Sequence, residues 1–416
     1  MPSEPTSFPK DKIKVVLLEG VHDRGAAMFE GESFDVTRHT KALEGPDLVA
    51  AVREAHVVGI RSKTQLAEGV LEAAHRLLAV GCFCIGTNQV DLDAARTRGV
   101  PVFNSPFSNT RSVAELTIAE VVALHRRLGD QSAQMHAGTW NKSASGAHEI
   151  RGRTLGIVGY GHIGSQVSVM AEAMGMRVVY HDLVPKLPLG NARQVASLDA
   201  LLEVADVVTV HVPAEASTHG LIGATQITRM RPGSHVINNA RGSVVDLDAL
   251  AEALRRGHLG GAALDVFPDE PASSGAGFES PVRGLRNVIL TPHIGGSTAE
   301  AQEAIAEDVA TKLIRFVNVG STTGAVNVPQ VELPTQGAVS SDVRPHRVLH
   351  FHRNVPGVLR TLHGIIGESG VNVSGEYLRT DEAIGYVVLD VAPTDGPELL
   401  ERLRSVPETV RVRVLW

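Results

Sequence analysis

Three polar residues, Arg241, Glu270 and His293, each follow an apolar run that predicts a β-strand, in NNARG, LDVFPDEP and LTPHIGG. At the carboxyl ends of parallel strands such residues can meet in one crevice. A histidine there can take the proton of a secondary alcohol, a carboxylate can hold the other ring nitrogen, and an arginine can bind a substrate carboxylate. Taken singly they could be a surface arginine, a solvated glutamate and a loop-capping histidine. Together they favour hydride transfer from a 2-hydroxy acid.

A glycine motif typical of dinucleotide-binding proteins, GYGHIG, lies between the apolar run LGIV and a helix-compatible segment. Gly159 allows a tight turn, Gly161 lets the backbone approach a pyrophosphate, and Gly164 lets the helix pack on the strand. Asp182 ends the next predicted strand, 18 positions after Gly164, where a carboxylate can bind ribose hydroxyls and repel a 2′-phosphate. The motif therefore predicts NAD as the cofactor. Glycines that merely form a turn would leave the position of Asp182 unexplained.

The elements that must position these residues are strands alternating with helices, as in a parallel α/β protein. In the first hundred or so positions the runs IKVVLLE, AHVVGIRS, LLAVGCF and GVPVFN each precede a polar segment, and a second series begins at RGRTLGIVGYGHIG. Between them, VAELTIAEVVALHRRL has helical apolar spacing, with Thr110 or Ser112 as the expected N-cap. The last segment has the order β-α-β-β-α-β, which is that of ferredoxin-like domains.

The composition excludes several classes of protein. With 416 residues, 43% of them hydrophobic and 20% charged, the chain has the profile of a globular protein of two or three domains. A net charge of -7 without a basic block argues against a nucleic-acid partner. Without a signal-peptide core or a bilayer-length apolar run, we expect a cytoplasmic protein with no membrane partner. Cys82 and Cys84 lack zinc-site spacing, so we expect a buried, reduced pair and no metal.

The segments GYGHIG, HVP, NNARGSVVD, LDVFPDEP and LTPHIGGST follow one another as in the D-isomer-specific 2-hydroxyacid dehydrogenase family, which the chain resembles over nearly its whole length. The resemblance implies an α/β protein with a Rossmann-type cofactor domain (106–295) inserted in a flavodoxin-like α/β substrate domain (1–105 and 296–332). A linker (333–346) and a C-terminal ferredoxin-like α+β ACT regulatory domain (347–416) would follow.

The resemblance also implies roles for single residues. Arg241 would bind substrate, His293 would be the acid and base, and Glu270 would be its partner. The implied NAD contacts are Gly159, Gly161, His162, Ile163, Gly164, Asp182, His211, Asn239, Ala240, Arg241, Asp265, His293, Gly295 and Gly296.

Further segments, among them GIRSKTQL, FNSPFSNTRSVAEL and TWNK, resemble members of the family that oxidise D-3-phosphoglycerate in the serine pathway. They imply small-molecule phosphate contacts and a homotetramer in which Trp140 and Lys142 reach the neighbouring subunit. The implied phosphate contacts are Arg61, Ser62, Lys63, Asn109 and Lys142.

The ACT segment resembles sensors of L-serine that pair edge to edge, which implies effector contacts at His352, Asn354 and Asn372. Asn354 could instead be a turn and cap residue only. Relatives carry a Gly-Gly hinge and adjacent arginines before this domain, whereas here Gly337 is single and Arg344 and Arg347 are scattered. The resemblance therefore implies the sensor more strongly than its mechanical transmission.

Two alternatives remain open. One is a related dehydrogenase acting on glycerate, lactate or 2-hydroxyglutarate; for the enzyme that oxidises D-3-phosphoglycerate, 2-oxoglutarate is an open second substrate. The other is an NAD-sensing scaffold without turnover, against which the presence of Arg241, Glu270 and His293 argues.

Overall fold

The computed structural model describes residues 8–271, 275, 277–334, 345–394 and 396–415. Two compact units divide the chain. One consists of Asn109–Ala301, and the other of Met1–Ser108 with Gln302–Trp416.

The first part of the discontinuous unit is a parallel sheet whose apolar runs form buried strands. Its order is β2-β1-β3-β4-β5, the flavodoxin-like order. The strand Asp35–Arg38 was not expected, because its side chains are mostly exposed and give no apolar run. The elements are β1 (Lys14–Leu17), α1 (Asp23–Gly31), β2 (Asp35–Arg38), α2 (Gly45–Val52), β3 (Val57–Ile60), α3 (Glu68–Ala73), β4 (Ala79–Cys82), α4 (Leu92–Thr97) and β5 (Val102–Phe103).

The continuous unit is a seven-stranded parallel sheet flanked by helices. Its order, β12-β11-β10-β9-β6-β7-β8, reverses between β6 and β9, which is the crevice where doubly wound sheets bind dinucleotides. The expected helix begins at Thr110 with Asn109 at the N-cap position, so the cap predicted at Thr110 or Ser112 is wrong. The elements are α5 (Thr110–Arg126), α6 (Leu128–His136), β6 (Thr154–Val158), α7 (His162–Ala173), β7 (Arg177–His181), β8 (Arg193–Gln194), α8 (Leu198–Leu202), β9 (Val207–Val210), α9 (Ala224–Arg229), β10 (His235–Asn238), α10 (Leu247–Arg255), β11 (Gly261–Leu264) and β12 (Val288–Leu290).

The C-terminal segment folds into an antiparallel sheet of order β14-β15-β13-β16 with two helices, which confirms the ferredoxin-like expectation. A 21-residue helix precedes it. The elements are α11 (Ala299–Val319), β13 (His346–Arg353), α12 (Val358–Glu368), β14 (Val373–Thr380), β15 (Ile384–Val391), α13 (Gly396–Arg404) and β16 (Thr409–Leu415).

The C-terminal sheet shares a core with the rest of its unit. Phe351 stacks on Tyr386, and both lie in one apolar cluster with Phe103 and Phe316. Polar side chains of the same sheet bind carbonyls at the end of α11. The Tyr386 hydroxyl donates to the Gly320 carbonyl at 2.7 Å.

Two arginines extend this attachment. Arg413 donates to the Val317 carbonyl at 2.7 Å, and Arg347 donates to that of Val319 at 3.1 Å. Arg347 is buried and also pairs with Asp390 at 2.7 Å. The last carbonyls of α11, which a helix leaves unpaired, are thus satisfied by the C-terminal sheet. Most of the expected linker, including Gly337 and Arg344, lies outside the described residues.

Cys82 and Cys84 are both free thiols whose pKa burial raises. Cys82 is buried, but Cys84 is only half-buried, so the expectation of a fully buried pair is wrong in part. Among the described residues no helix is both long and apolar enough to cross a membrane. No group of three metal-binding side chains occurs within the same described ranges.

Candidate active site

His293 and Glu270 form a hydrogen-bonded pair at the carboxyl edge of the seven-stranded sheet. Glu270 follows β11 and His293 follows β12, and Nδ1 of the histidine lies 2.8 Å from Oε2 of the glutamate. Glu270 Oε1 also accepts the amide of Phe267 at 3.1 Å, which orients the carboxylate. The side chains are 52% and 37% exposed, so a ligand can reach the ring. A hydrogen on Nδ1 leaves Nε2 as an acceptor for a substrate proton.

The loop that carries His293 is held by Asp265, which directly follows β11. The backbone of His293 is left-handed, with φ of 55°, and its amide donates to the Asp265 carbonyl at 2.8 Å. The buried Asp265 carboxylate accepts the amides of Ile294 at 2.8 Å and Gly295 at 2.7 Å. It also accepts the Thr291 hydroxyl at 2.6 Å. This unusual conformation, which costs energy for a non-glycine residue, is therefore stabilised from the neighbouring strand.

Arg241 lies on a turn after β10 that is folded by its own side chains. Asn238 donates its amide to the Arg241 carbonyl at 3.0 Å and accepts the amide of Ala240 at 3.1 Å. A Cβ on Gly242 would collide with the carbonyl of Phe267, so only glycine allows this close approach. The turn of Arg241 thus packs against the segment that leads to Glu270. The structure therefore brings together the three polar residues at neighbouring strand ends.

The GYGHIG glycines differ in what surrounds them. Gly159 has φ of 92°, and a Cβ there would lie 2.7 Å from the His211 carbonyl oxygen. A Cβ on Gly164 would collide with the Gly159 carbonyl, whereas one on Gly161 meets nothing within 4 Å. The first and third glycines are thus required by packing, and the second leaves open space before α7. Backbone there is free to approach a pyrophosphate, as NAD binding requires.

Asp182, at the end of β7, has a fixed carboxylate. Its Oδ2 accepts the amide of Tyr160 at 2.8 Å, and its Oδ1 accepts that of Val184 at 3.0 Å. Tyr160 belongs to the glycine motif, so the acidic residue is tied to the turn expected to bind phosphates. A carboxylate at this position can accept hydrogen bonds from the two ribose hydroxyls of a nucleotide.

Other predicted cofactor contacts lie at the same sheet edge. Burial lowers the pKa of His211 to about 4, so its imidazole is neutral at pH 7 and bonds to Thr209 at 3.0 Å. Asn239 is buried under the Arg241 turn. His162 is exposed at the start of α7, with the half-buried Ile163 beside it.

The predicted phosphate contacts divide between the two units. Arg61, Ser62 and Lys63 follow β3 in one unit, and Asn109 and Lys142 belong to the other. Asn109 is buried next to Gly296, while Lys142 is exposed.

Glu19 organises the loop after β3 and was missed by sequence reasoning. Its carboxylate accepts the amides of Arg61 at 3.1 Å, Lys63 at 3.0 Å and Thr64 at 2.8 Å. Three backbone donors on one carboxylate hold the loop in a single shape.

One of the three predicted effector residues, Asn372, lies apart from the other two within one chain. His352 is buried on β13 with its ring against Gly385. Asn354 donates to the Asp381 carbonyl at 2.7 Å, which joins it to the turn between β14 and β15. Asn372 is exposed before β14, and β15 lies between that strand and β13. The structure therefore does not bring Asn372 beside His352 in the same chain.

Comparison with known proteins agrees with this geometry. The profile of the D-isomer specific 2-hydroxyacid dehydrogenase NAD binding domain matches residues 118–295, and an AHAS small subunit-like ACT domain profile matches 348–411. The chain is similar to the D-3-phosphoglycerate dehydrogenase of Haemophilus influenzae, at 51% identity over 99% of each chain. It is 49% identical, with the same coverage, to the enzyme of that name from Dictyostelium discoideum.

Among solved structures, the D-lactate dehydrogenase of Aquifex aeolicus complexed with NAD and lactic acid is similar. Its TM-score is 0.65 at 28% identity, covering 76% of this chain and 100% of that one. The fold, the paired histidine and glutamate and the full-length similarity lead to one conclusion. The chain belongs to the D-isomer specific 2-hydroxyacid dehydrogenase family, whose members are NAD-dependent dehydrogenases.

Proposed function

We propose that this chain oxidises D-3-phosphoglycerate to 3-phosphohydroxypyruvate with NAD, the first step of phosphorylated serine biosynthesis, and that L-serine inhibits it. The observation that carries the proposal is the 51% identity to a D-3-phosphoglycerate dehydrogenase over 99% of both chains, because it includes the C-terminal regulatory segment. A second substrate, 2-oxoglutarate, would be reduced at the same groups.

The proposed chemistry begins at His293. Its Nε2 takes the proton of the C2 hydroxyl, while Nδ1, 2.8 Å from Glu270, keeps its hydrogen. Glu270 fixes the tautomer and stabilises the imidazolium that forms. Bound NAD would supply the acceptor for the hydride that leaves C2. In the reverse direction the protonated His293 returns its proton to the carbonyl oxygen.

Arg241 binds the substrate carboxylate in this proposal. A guanidinium presents two parallel donors, which orient a planar carboxylate and also polarise a neighbouring carbonyl. Nη1 of Arg241 donates to the carbonyl of Ala240 at 2.7 Å, and the guanidinium has further N–H groups that can bind a carboxylate. The turn that Asn238 closes fixes the backbone that carries this side chain.

The cofactor is assigned to the edge that holds the glycine motif. Backbone amides of His162 and Ile163 would face the pyrophosphate and Asp182 would bind the ribose hydroxyls, and the open space at Gly161 supports this fit. The nicotinamide side of the site is assigned to His211, Asn239, Ala240, Arg241, Asp265, His293, Gly295 and Gly296.

The substrate phosphate is assigned to Arg61, Ser62 and Lys63, with Asn109 and Lys142. Support comes from Glu19, which accepts the backbone amides of Arg61 and Lys63 and so fixes this loop, and from the exposure of Ser62 and Lys63. Lys142 and Trp140 are both exposed, Trp140 by 78%, in line with the proposed contribution to a neighbouring subunit of a homotetramer.

L-serine is assigned to His352, Asn354 and Asn372 of two paired ACT domains. The strand β14 is at the sheet edge and mostly exposed, with Val373 and Tyr377 each at least 40% exposed, which suits edge-to-edge pairing. Pairing would bring Asn372 of one domain to His352 and Asn354 of its partner domain.

One assay tests the whole proposal. NADH formation is followed with D-3-phosphoglycerate, D-lactate, D-glycerate and D-2-hydroxyglutarate, each with and without L-serine. We expect the highest kcat/KM with D-3-phosphoglycerate and inhibition by L-serine. A higher kcat/KM with another acid would identify the chain as a dehydrogenase of that acid. NAD binding without turnover of any acid would support an NAD-sensing scaffold.

A further inference from the structure

A buried carboxyl outside the reacting groups lies beneath the Arg241 turn. Glu120 of α5 is only 3% exposed, and its Oε2 accepts Nδ2 of Asn239 at 2.7 Å. Among the described residues no lysine or arginine forms an ion pair with it. An ionised carboxylate is costly in such a place unless it is paired and fully hydrogen-bonded.

One oxygen of this carboxyl and the amide oxygen of Asn239 lack hydrogen-bond partners in the described part of the chain. Asn239 uses both Nδ2 hydrogens, one to Glu120 and one to the Thr117 hydroxyl at 3.1 Å. Two acceptors, Glu120 Oε1 and Asn239 Oδ1, are then buried and without a partner in the described part of the chain. Each lone acceptor costs desolvation energy. The two belong to side chains that one hydrogen bond already joins.

One hydrogen satisfies both acceptors. Placed on Oε1 of Glu120, it donates to Oδ1 of Asn239 and closes a cyclic pair in which acid and amide each donate once and accept once. Burial raises the pKa of Glu120 to about 7, the Asn239 bond opposes this, and the Asp265 charge adds to it.

Asn239 connects this pair to the Arg241 turn. Asn238 closes the turn upon itself through Arg241 and Ala240, but it does not attach the turn to a helix. Asn239 makes that attachment, because its partners Glu120 and Thr117 are both on α5.

We propose that Glu120 is a positioning residue that carries a hydrogen, donates it to Asn239, and by this acid-amide pair fixes the Arg241 turn against α5. The inference rests on the role of Arg241 assigned under the proposed function. It adds a neutral acid that touches neither substrate nor cofactor.

Two substitutions distinguish a role of Glu120 in hydrogen bonding from a role in packing alone. Glu120→Gln reproduces the pair without a titrating group, since its amide donates to Oδ1 and accepts from Nδ2. We expect its kcat/KM to stay within about threefold of the original. Glu120→Leu has similar bulk but leaves Asn239 with Thr117 as its side-chain partner, and we expect KM for the 2-hydroxy acid to rise about tenfold. Because Asn239 is also assigned to the nicotinamide, the NAD dissociation constant is measured alongside and should rise by less than KM.

Thr117→Val is the matched control, because it removes the weaker partner of Asn239 and keeps the carboxyl. Its effect on KM should be smaller than that of Glu120→Leu. If Glu120→Gln is impaired as much as Glu120→Leu, a negative charge is needed and the proposal fails.

Infrared spectroscopy tests the hydrogen directly and does not depend on activity. At pH 6, below the value of about 7, the difference spectrum between the unmodified protein and Glu120→Gln should contain the carbonyl band of a protonated carboxyl. Carboxylate bands alone would overturn the proposal, even if Glu120→Leu does not fold. Unimpaired oxidation by His293→Ala would instead refute the proposed chemistry. The infrared result would still decide whether Glu120 is protonated.

Discussion

Oδ2 of Asp265 accepts the backbone amide of Gly295 at 2.7 Å, two residues after His293, the proposed acid and base. The other carboxylate oxygen accepts the amide of Ile294 and the hydroxyl of Thr291, so both oxygens serve the same loop. The loop that carries His293, whose backbone is left-handed, is therefore attached to the end of β11.

Replacing Asp265 by alanine should destabilise the fold as well as slow the reaction. Two amides and a hydroxyl lose a buried acceptor, and we expect the free energy of unfolding to fall by about 2 to 4 kcal/mol. Urea unfolding followed by circular dichroism measures it. Thr291→Val removes one donor only and should cost about 1 kcal/mol. Equal stability of the two variants would mean that the loop amides do not need Asp265.

His293→Ala should lower kcat by about 10²- to 10⁴-fold, the usual contribution of a positioned acid and base. NAD binding, measured by calorimetry, should survive because the glycine motif is untouched. Glu270→Gln keeps a hydrogen-bond acceptor but removes the charge that stabilises the imidazolium, so the pH profile of kcat should shift. Unchanged oxidation by His293→Ala would assign the proton to another residue.

Asp182→Ala should narrow the preference for NAD over NADP, mainly by weakening NAD, because the carboxylate is expected to bind ribose hydroxyls. The ratio of kcat/KM for the two cofactors is the measurement. Asp182→Asn is the isosteric comparison, because it keeps one of the two acceptor oxygens and removes the charge that repels a 2′-phosphate. If the unmodified protein uses both cofactors equally well, the assignment of Asp182 is wrong.

Asn354→Ala and Asn372→Ala should each raise the L-serine concentration needed for inhibition and leave uninhibited kcat almost unchanged. A ligand shifts an equilibrium only by its differential affinity for two states, and a coupling of about 1 to 3 kcal/mol is ordinary. Arg404→Ala, which removes an exposed ion pair with Glu401 on α13, is the control. Serine binding without loss of activity would support the L-serine site but would exclude its coupling to the dehydrogenase reaction.

The C-terminal sheet should be sensitive to acid through His350. Burial, and secondly the neighbouring His352, lowers the pKa of His350 to about 3 from 6.5. The unfolded chain then binds the proton more readily, so stability falls as the pH drops below about 6.5, by up to about 1.4 kcal/mol per pH unit.

His350→Gln removes this titration and retains a partner for Thr409, which His350 contacts at 2.9 Å. Urea unfolding at pH 5 and pH 7 should therefore show a smaller pH effect in the variant than in the unmodified protein. Identical pH effects would mean that His350 does not govern acid sensitivity.

Sequence reasoning found the elements and motifs that appear as a local pattern in the sequence. Buried strands such as Val57–Ile60 are apolar throughout, and the glycines of GYGHIG have a spacing set by backbone geometry. The strand Asp35–Arg38 escaped because it is an exposed edge held by backbone pairing with β1.

Glu19 and Glu120 escaped for a different reason. Their partners are 42 and 119 positions away in sequence, at Arg61 and Asn239, and a single glutamate in a strand end or helix carries no signal of such contacts. Which polar residues become buried is decided by the packing of distant elements. Spacing along the chain does not record it.

The attachment of the C-terminal sheet to α11 bears on how such enzymes can be re-engineered. Phe351 and Tyr386 complete an apolar cluster that begins with Phe103 and Phe316, so neither half is a finished surface alone. A chain that ends near residue 334 would expose apolar side chains to solvent and would be prone to aggregate. Aggregation would obscure any loss of inhibition by L-serine. Transplanting this C-terminal domain to another dehydrogenase would likewise require a matching apolar surface on the recipient, since Phe351 and Tyr386 pack outside the core that the domain forms by itself.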